Sequence, residues 1–418
     1  MRPTSRTGSQ AADAVPADLA SMDSGARGLT PPVLVIVPHD TSGADPPLRW
    51  MVLGGLSLMR RVALAARRAG FERVFLAGAK LDEQFLLRDA GVSPLTTDSG
   101  ISSGRGRVVF LADCVVAQPA WLRRLIEAPL EPGCLGLDDS VAAVVDATES
   151  SRISAAVAHV DSMAGVVAAL RRDFTVVETP SDPSGRFVLT TREDAARAET
   201  WLLRSLIKPH ETFASRHFER RLSLAITRRL ARKSVTPNAM SLAMIAAGLL
   251  AAPFFLSTSP CWQVAGALLF LAHSILDGCD GELARLKFLE SRRGARLDFW
   301  GDNIVHCAVF ACLAAGWSAH SAARWPLALG ALVVGSTLAA AALLQPDAAG
   351  PPVATGPAGS PRKLVDTLSN RNFIYLILLL AVAGRAWWFL VPAAIGTPVF
   401  VALALWTTKA RRPVAVNA

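Results

Sequence analysis

Asp277-Gly278-Cys279-Asp280-Gly281, then Ala284-Arg285, then Gly294, Asp298 and Asp302, place four carboxylates where the chain is otherwise apolar enough to cross a bilayer. Acids at that depth are costly unless positive charge offsets them. With both flanks helical, Asp277 and Asp280 lie three apart on one face, and Asp298 and Asp302 lie four apart on one face of the next helix. Two facing pairs make an oxygen-rich cage suited to a hard divalent cation, Mg²⁺ above all, with Mn²⁺ as a substitute.

Working outward, the 418 residues divide by composition. The first 235 or so carry charge at the frequency of a soluble protein, whereas residues 236–408 are dominated by Ala, Leu, Val, Phe and Trp in runs long enough to span a membrane. The reading is a soluble domain joined to a membrane domain. Residues 1–30 mix Ser, Ala, Gly and Asp without the apolar stretch of a secretory signal and are expected to be disordered. Six scattered cysteines form no C-x-x-C pair, which points away from a zinc site or a disulfide framework and toward a reducing compartment. The net charge of +9 comes from basic residues clustered beside the apolar segments, so an anionic membrane surface, not nucleic acid, is the expected partner.

In the first part, Val33–Val37, Arg73–Ala77 and Val108–Ala112 are short apolar runs closed by Pro, Gly or Asp, and Leu56–Gly70 repeats its apolar positions at helical spacing. Strands alternating with helices imply a mostly parallel sheet covered on both faces. Val141–Val145, Ala155–Val160 and Arg186–Thr190 could add strands, and a helix is expected from about Thr191 to Ile207. Residues 211–234 interleave Arg216, Arg220, Arg221, Arg228, Arg229 and Arg232 with Phe and Leu, the pattern of a basic amphipathic helix lying in the membrane interface. Six spans are drawn at 237–256, 262–285, 294–316, 325–344, 371–386 and 388–408. Lys and Arg crowd the loops after the second, fourth and sixth, while the opposite loops hold Arg324 and Arg385. That bias puts both termini and the aspartates at the cytoplasmic face of an inner membrane crossed several times.

Residues 277–302 fill every position of D-x-x-D-G-x-x-A-R, eight residues, G-x-x-x-D-x-x-x-D. The chain thereby resembles the CDP-alcohol phosphotransferase family, and Thr236-Pro237-Asn238 at the start of the first span is similar to that family's usual entry. The resemblance implies Mg²⁺-dependent transfer of a substituted phosphate from a CDP-linked donor, of the CDP-diacylglycerol or CDP-inositol type, to an alcohol such as inositol phosphate or glycerol phosphate, with release of CMP. It implies that Asp277, Asp280, Asp298 and Asp302 hold metal, with Asp302 also serving as general base. Asn238, Gly281, Ala284, Arg285 and Gly294 would form the nucleotide pocket. Arg216, Arg220, Arg221 and Arg371 are candidate contacts for an acceptor phosphate, because guanidinium groups suit bidentate phosphate binding; attraction to anionic lipid is their alternative use. Glu282 falls outside the fixed positions, and His273 and His306, each four residues from an aspartate, are expected to pack in the core. A homodimer is implied by analogy alone.

Upstream, Gly54-Gly55-Leu56-Ser57-Leu58-Met59-Arg60-Arg61 and Val109-Phe110-Leu111-Ala112-Asp113 are similar to a Rossmann-like nucleotidyltransferase, and the stretch from Gly185 to Pro209 resembles the junction of bifunctional enzymes joining an inositol-phosphate cytidylyltransferase to a di-myo-inositol phosphate phosphate synthase. The loop after the first strand departs from an active nucleotidyltransferase. Residues 38–47 offer one glycine, two acids and three prolines, where a triphosphate needs backbone N–H groups and positive charge. The expected architecture is therefore a degenerate nucleotidyltransferase-like α/β domain at 31–207, the basic helix at 211–234, and an all-α, six-helix transmembrane domain at 235–410. Two other uses of intramembrane acids stay open: a transporter relaying ions, which would spread its acids along a path, and an inactive scaffold, which would not keep the pattern whole.

Overall fold

The computed structural model describes residues 31–39, 47–80, 83–96, 106–146, 153, 162–178, 183–207, 219–345 and 373–409, and the chain separates into two compact units. The expected N-terminal disorder, the strand at 155–160, the loop at 346–361 and the candidate residues Arg216 and Arg371 lie outside the described residues.

The first unit comprises residues up to Gly43 and Val62–Val188. It is built on strands β1 (Val33–Val37), β2 (Arg73–Leu76), β3 (Ser93–Pro94), β4 (Arg107–Ala112), β5 (Cys134–Asp138), β6 (Ala142–Asp146) and β7 (Thr175–Glu178), ordered β7-β5-β6-β4-β1-β2-β3. Every residue of Val33–Val37 is buried, as a strand enclosed on both faces requires. β1 runs parallel to β2 and β4, and β7 runs parallel to β5, so the sheet is parallel-rich as expected. One strand departs from that pattern: β6 is antiparallel to both β4 and β5. Its reason is local, because only Asp139-Ser140-Val141 separates β5 from β6, with Asp139 at φ 50°, and a turn that short can only fold the chain back as a hairpin. Arg186–Val188, expected as a further strand, pairs with Val115–Ala117 in a separate two-stranded ribbon. Beneath it Arg186 and the indole N–H of Trp121 both bond the buried Asp138 carboxylate.

The second unit comprises Ala44–Arg61 and Leu189 onward. Its helices are α1 (Ala195–Arg204), α2 (Arg220–Ala231), α3 (Pro237–Ala251), α4 (Pro260–Lys287), α5 (Arg292–Ser321), α6 (Trp325–Leu344), α7 (Phe373–Val382) and α8 (Leu390–Lys409). Among the described residues five segments are long and apolar enough to cross a membrane: Pro237–Leu256, Pro260–Lys287, Arg292–Ser321, Trp325–Leu344 and Ala386–Trp406; α7 is apolar but shorter. Proline opens α3 and α4, where its missing N–H costs nothing, and Thr236 and Ser291 cap α3 and α5 by accepting from Ala239 N (3.3 Å) and Gly294 N (3.0 Å).

Lipid tails are as apolar as leucine, so close packing decides how such helices associate. A Cβ on Gly248 of α3 would stand 2.4 Å from a Val305 methyl of α5, and one on Gly301 would stand 2.2 Å from Ile245. The core behind this seam is Phe255, Phe270, Phe310 and Leu313 with Ile377 and Leu390.

The Gly54-Gly55 stretch, similar in sequence to a nucleotidyltransferase, is a two-residue hairpin between Val52–Leu53 and Leu56–Ser57, with φ of 54° and 82° at its tip. A Cβ at Gly55 would lie 2.0 Å from the Ala231 carbonyl, so glycine is required both by conformation and by contact. Arg61, 2% exposed, donates to Leu286 O (2.8 Å) and Leu53 O (2.7 Å), clasping the hairpin to the last turn of α4, and burial lowers its pKa to about 10.

Candidate active site

The turn between α4 and α5 is short because Phe288 adopts the left-handed conformation that ends α4 and Ser291 caps α5. It presents the end of one helix, with Asp277, Asp280, Gly281, Ala284 and Arg285, beside the start of the next, with Gly294, Asp298 and Asp302. Asp298 feels the charges of Asp277, Asp280 and Asp302 and lies within hydrogen-bonding reach of Asp277. Asp298 thus lies within electrostatic range of the other three carboxylates singled out by spacing. Oδ1 of Asp298 is buried with no hydrogen-bond partner among the described residues, an arrangement that wants a cation.

Asp280, 4% exposed, is steadied by Ser241 of α3, whose hydroxyl donates to its Oδ2. Sequence reasoning passed over Ser241; its signal was the position one helical turn past Pro237. Asn238, Gly281, Ala284, Arg285 and Gly294 line one cavity of about 190 Å³ together with Asp280 and Asp298. Gly294 has a specific job there, because a Cβ would come within 3.0 Å of Asn238 Oδ1.

Asp302, one turn beyond Asp298, faces elsewhere. Its Oδ1 is 3.2 Å from His273 Nε2 and 3.8 Å from His306 Nε2, and one ligand atom from each of the three residues falls within 4.8 Å of the others. His273 Nδ1 meets the Met244 carbonyl at 3.0 Å. A carbonyl only accepts, so Nδ1 carries a hydrogen, and Nε2 donates to an ionised Asp302 only when the ring carries both protons. His273 is fully buried as expected, but it also fixes the Asp302 side chain, and its four-residue spacing from Asp277 was the available clue.

The buried Glu282 stands outside this group. Its carboxylate accepts from Ser223 Oγ (2.7 Å), Thr227 Oγ1 (2.7 Å) and Arg220 Nη1 (2.8 Å), which ties α2 to α4. Within the described part of the basic helix, the residues turned inward are therefore the polar Ser223 and Thr227 with the small Ala231, while Leu222 is exposed. Arg220, expected at an acceptor phosphate, is engaged by Glu282, and Arg221 is exposed. In the first unit the Asp113 carboxylate accepts from the His39 backbone N–H (2.9 Å), closing the loop that follows β1.

Residues 234–400 match the family model of the CDP-alcohol phosphatidyltransferases. Among curated proteins, the chain is 38% identical over 125 residues to the bifunctional IPC transferase and DIPP synthase of Thermococcus kodakarensis, covering 30% of this chain and 28% of that one. It is 33% identical over 162 residues to the CDP-diacylglycerol–serine O-phosphatidyltransferase of Mycobacterium bovis, covering 37% and 52%. The chain thus spans little more than a quarter of the first relative and about half of the second. A solved phosphatidylinositol phosphate synthase of Mycobacterium tuberculosis with CDP-DAG bound aligns over 47% of this chain and 98% of that one, at 20% identity and a TM-score of 0.34.

Proposed function

We propose that this chain, whose residues 234–400 carry the CDP-alcohol phosphatidyltransferase domain, transfers a substituted phosphate from a CDP-linked donor to an alcohol and releases CMP, in phospholipid or inositol-phosphodiester synthesis. The observation that carries this reading is one cavity lined by Asn238, Asp280, Gly281, Ala284, Arg285, Gly294 and Asp298, where an arginine, small residues and carboxylates meet.

The residues fit Mg²⁺: an all-carboxylate set is the donor chemistry of a hard cation, and the buried, unpartnered Asp298 oxygen supplies the electrostatic demand. Asp277, Asp280 and Asp298 would hold it, with Asp302 at the edge of the same set. When bound, the metal neutralises the pyrophosphate charge. Arg285 binds phosphate from the cavity wall, and Gly281 and Gly294 let the nucleotide approach the backbone. Asp302, oriented by His273, accepts the proton as the acceptor oxygen attacks the phosphorus. A new P–O bond forms, the P–O bond to CMP breaks, and CMP leaves with the electron pair.

The donor is of the CDP-diacylglycerol or CDP-inositol type, and the sequence resemblance favours inositol phosphate or glycerol phosphate as acceptor. α7 is the fifth of six spans, and the positive loops set the termini and the site on the cytoplasmic side of the inner membrane. The Rossmann-like first domain is a degenerate nucleotidyltransferase, and the enzyme works as a homodimer. Purified protein in detergent, given Mg²⁺ and each donor and acceptor, tests the reaction through CMP release. Release that EDTA abolishes supports it, and none with any pair refutes it.

A further inference from the structure

Asp302 stands between two kinds of neighbour. Its charge is felt by Asp298 among the carboxylates, while its Oδ1 is the atom that both His273 Nε2 and His306 Nε2 approach, at 3.2 and 3.8 Å. We infer that His273, Asp302 and His306 form a separate site for a borderline divalent metal, Zn²⁺ foremost, and that this ion silences phosphotransfer by occupying Asp302. The binding stands on geometry alone; the silencing rests on the phosphotransferase reading.

α5 carries Asp302 and His306 four residues apart, hence on one face, the spacing by which a helix offers two ligands to one ion. His273 completes the set from α4. Its Nδ1 donates to the Met244 carbonyl of α3 at 3.0 Å, and a metal-binding histidine commits its other ring nitrogen in this way, which fixes both ring and tautomer. A neutral His273 then turns the Nε2 lone pair toward a carboxylate oxygen 3.2 Å away, and two acceptors that close repel unless a proton or a cation lies between them. Two ligands each about 2.0–2.1 Å from a tetrahedral ion stand about 3.3 Å apart. The 3.2 Å pair already has that spacing; the 3.8 Å pair and the third, within 4.8 Å, close by rotation of the His306 side chain.

The two rings are held in place by their neighbours. Phe270 stacks on His273 at 5.8 Å and meets His306 edge-on at 5.7 Å, and the imidazoles stand at 88° to each other. A Cβ on Gly248 would lie 3.0 Å from the His273 ring, so α3 seats that ring as well. Two imidazole nitrogens and one carboxylate suit Zn²⁺ better than Mg²⁺, which takes oxygen, so Mg²⁺ keeps Asp277, Asp280 and Asp298. Three protein ligands leave a fourth position open. Asp302 and His306 line a cavity of about 520 Å³ between α5, α6 and α8, which gives the ion and a fourth ligand a way in. A metal on Oδ1 engages the carboxylate that would otherwise take the acceptor's proton.

The probe is Co²⁺, a spectroscopic stand-in for Zn²⁺, titrated into the purified full chain in detergent with Mg²⁺ in excess to keep the carboxylate set filled. A four-coordinate site with imidazole ligands absorbs strongly in the visible, and an octahedral all-oxygen site absorbs weakly. The expected result is a strong band that saturates at a single equivalent and is bleached by Zn²⁺. In His306→Phe it should need at least about 100-fold more Co²⁺, since losing a ligand exceeds the roughly 10–100-fold cost of losing a group behind one. Weak absorption alone, or a band that Mg²⁺ displaces or that His306→Phe leaves intact, overturns the inference. Should His306→Phe not fold, zinc-edge X-ray absorption of the wild type reads the same point: imidazole scattering supports the site, and oxygen-only scattering overturns it. In the activity arm, Mg²⁺-dependent CMP release by the wild type should fall to background in micromolar Zn²⁺, while His306→Phe should keep its own zinc-free rate. Zn²⁺ binding with undiminished release overturns the silencing. No release from any donor and acceptor pair removes the phosphotransferase reading, and the Co²⁺ titration still decides the metal site.

Discussion

Glu282→Ala should loosen α2 from α4 more than any other single change at that contact. The substitution removes the acceptor of three hydrogen bonds, from Ser223, Thr227 and Arg220, and takes the Glu282 carboxylate at 2.8 Å from the Arg220 guanidinium, which is 18% exposed. Removing one partner of a buried ion pair costs about 3–5 kcal/mol, because the desolvated survivor is left uncompensated. For a chain of 418 residues, at about 2.1 cal/mol/K of unfolding entropy per residue, that lowers the thermal midpoint in detergent by roughly 3–6 °C. Glu282→Gln keeps the shape and an accepting oxygen and should cost less, about 1–3 kcal/mol. A double-mutant cycle with Arg220→Ala should give a coupling of about 0.5–3 kcal/mol. Trypsin cleavage after Arg228 and Arg229 should accelerate in parallel, reporting that α2 itself is released. A Glu282→Ala midpoint equivalent to a change below about 0.5 kcal/mol, with unaltered proteolysis, would refute the reasoning.

Three further outcomes follow from the same packing. Arg61→Ala deprives Leu286 O and Leu53 O of their donor and should speed amide exchange across residues 52–57, with a stability loss of about 1–3 kcal/mol; unchanged exchange there would show that the clasp is not needed. Gly248→Ala drives a methyl group into Val305 and the His273 ring and should destabilise by about 1–3 kcal/mol in thermal unfolding, whereas Gly335→Ala, which meets nothing within 4 Å, should not. His273→Phe removes the bonds to Asp302 and Met244 and should lower kcat about 10–100-fold with donor KM nearly constant, since a positioning partner acts through the group it holds.

The helical pair and its acids were legible because fixed spacings of three and four residues put carboxylates on one face before any packing is known. Five of the six spans drawn were legible for a related reason, since composition alone decides what can sit in lipid. Less visible was anything set by which face meets which. The sequence marks Asp139-Ser140 as polar but does not say that the turn is tight enough to reverse β6. The apolar positions at Leu222, Leu224 and Ile226 did not reveal that the opposite face of α2 would meet Glu282 of α4, a contact that turns Ser223 and Thr227 inward and leaves Leu222 exposed to the membrane interface or solvent. The engagement of Arg220 by Glu282 was not legible, because the two lie sixty-two residues apart. Ser241 and His273 entered the site through tertiary contacts from α3 and from mid-α4, which could not be read without the fold.

The central claim is that these carboxylates run a metal-dependent phosphotransfer. The most direct test compares Mg²⁺-dependent CMP release by the purified wild-type protein and by Asp298→Asn, both first confirmed to share one thermal midpoint in the absence of metal. The account predicts release by the wild type and loss to background in Asp298→Asn. Wild-type rates in a folded Asp298→Asn protein would contradict it.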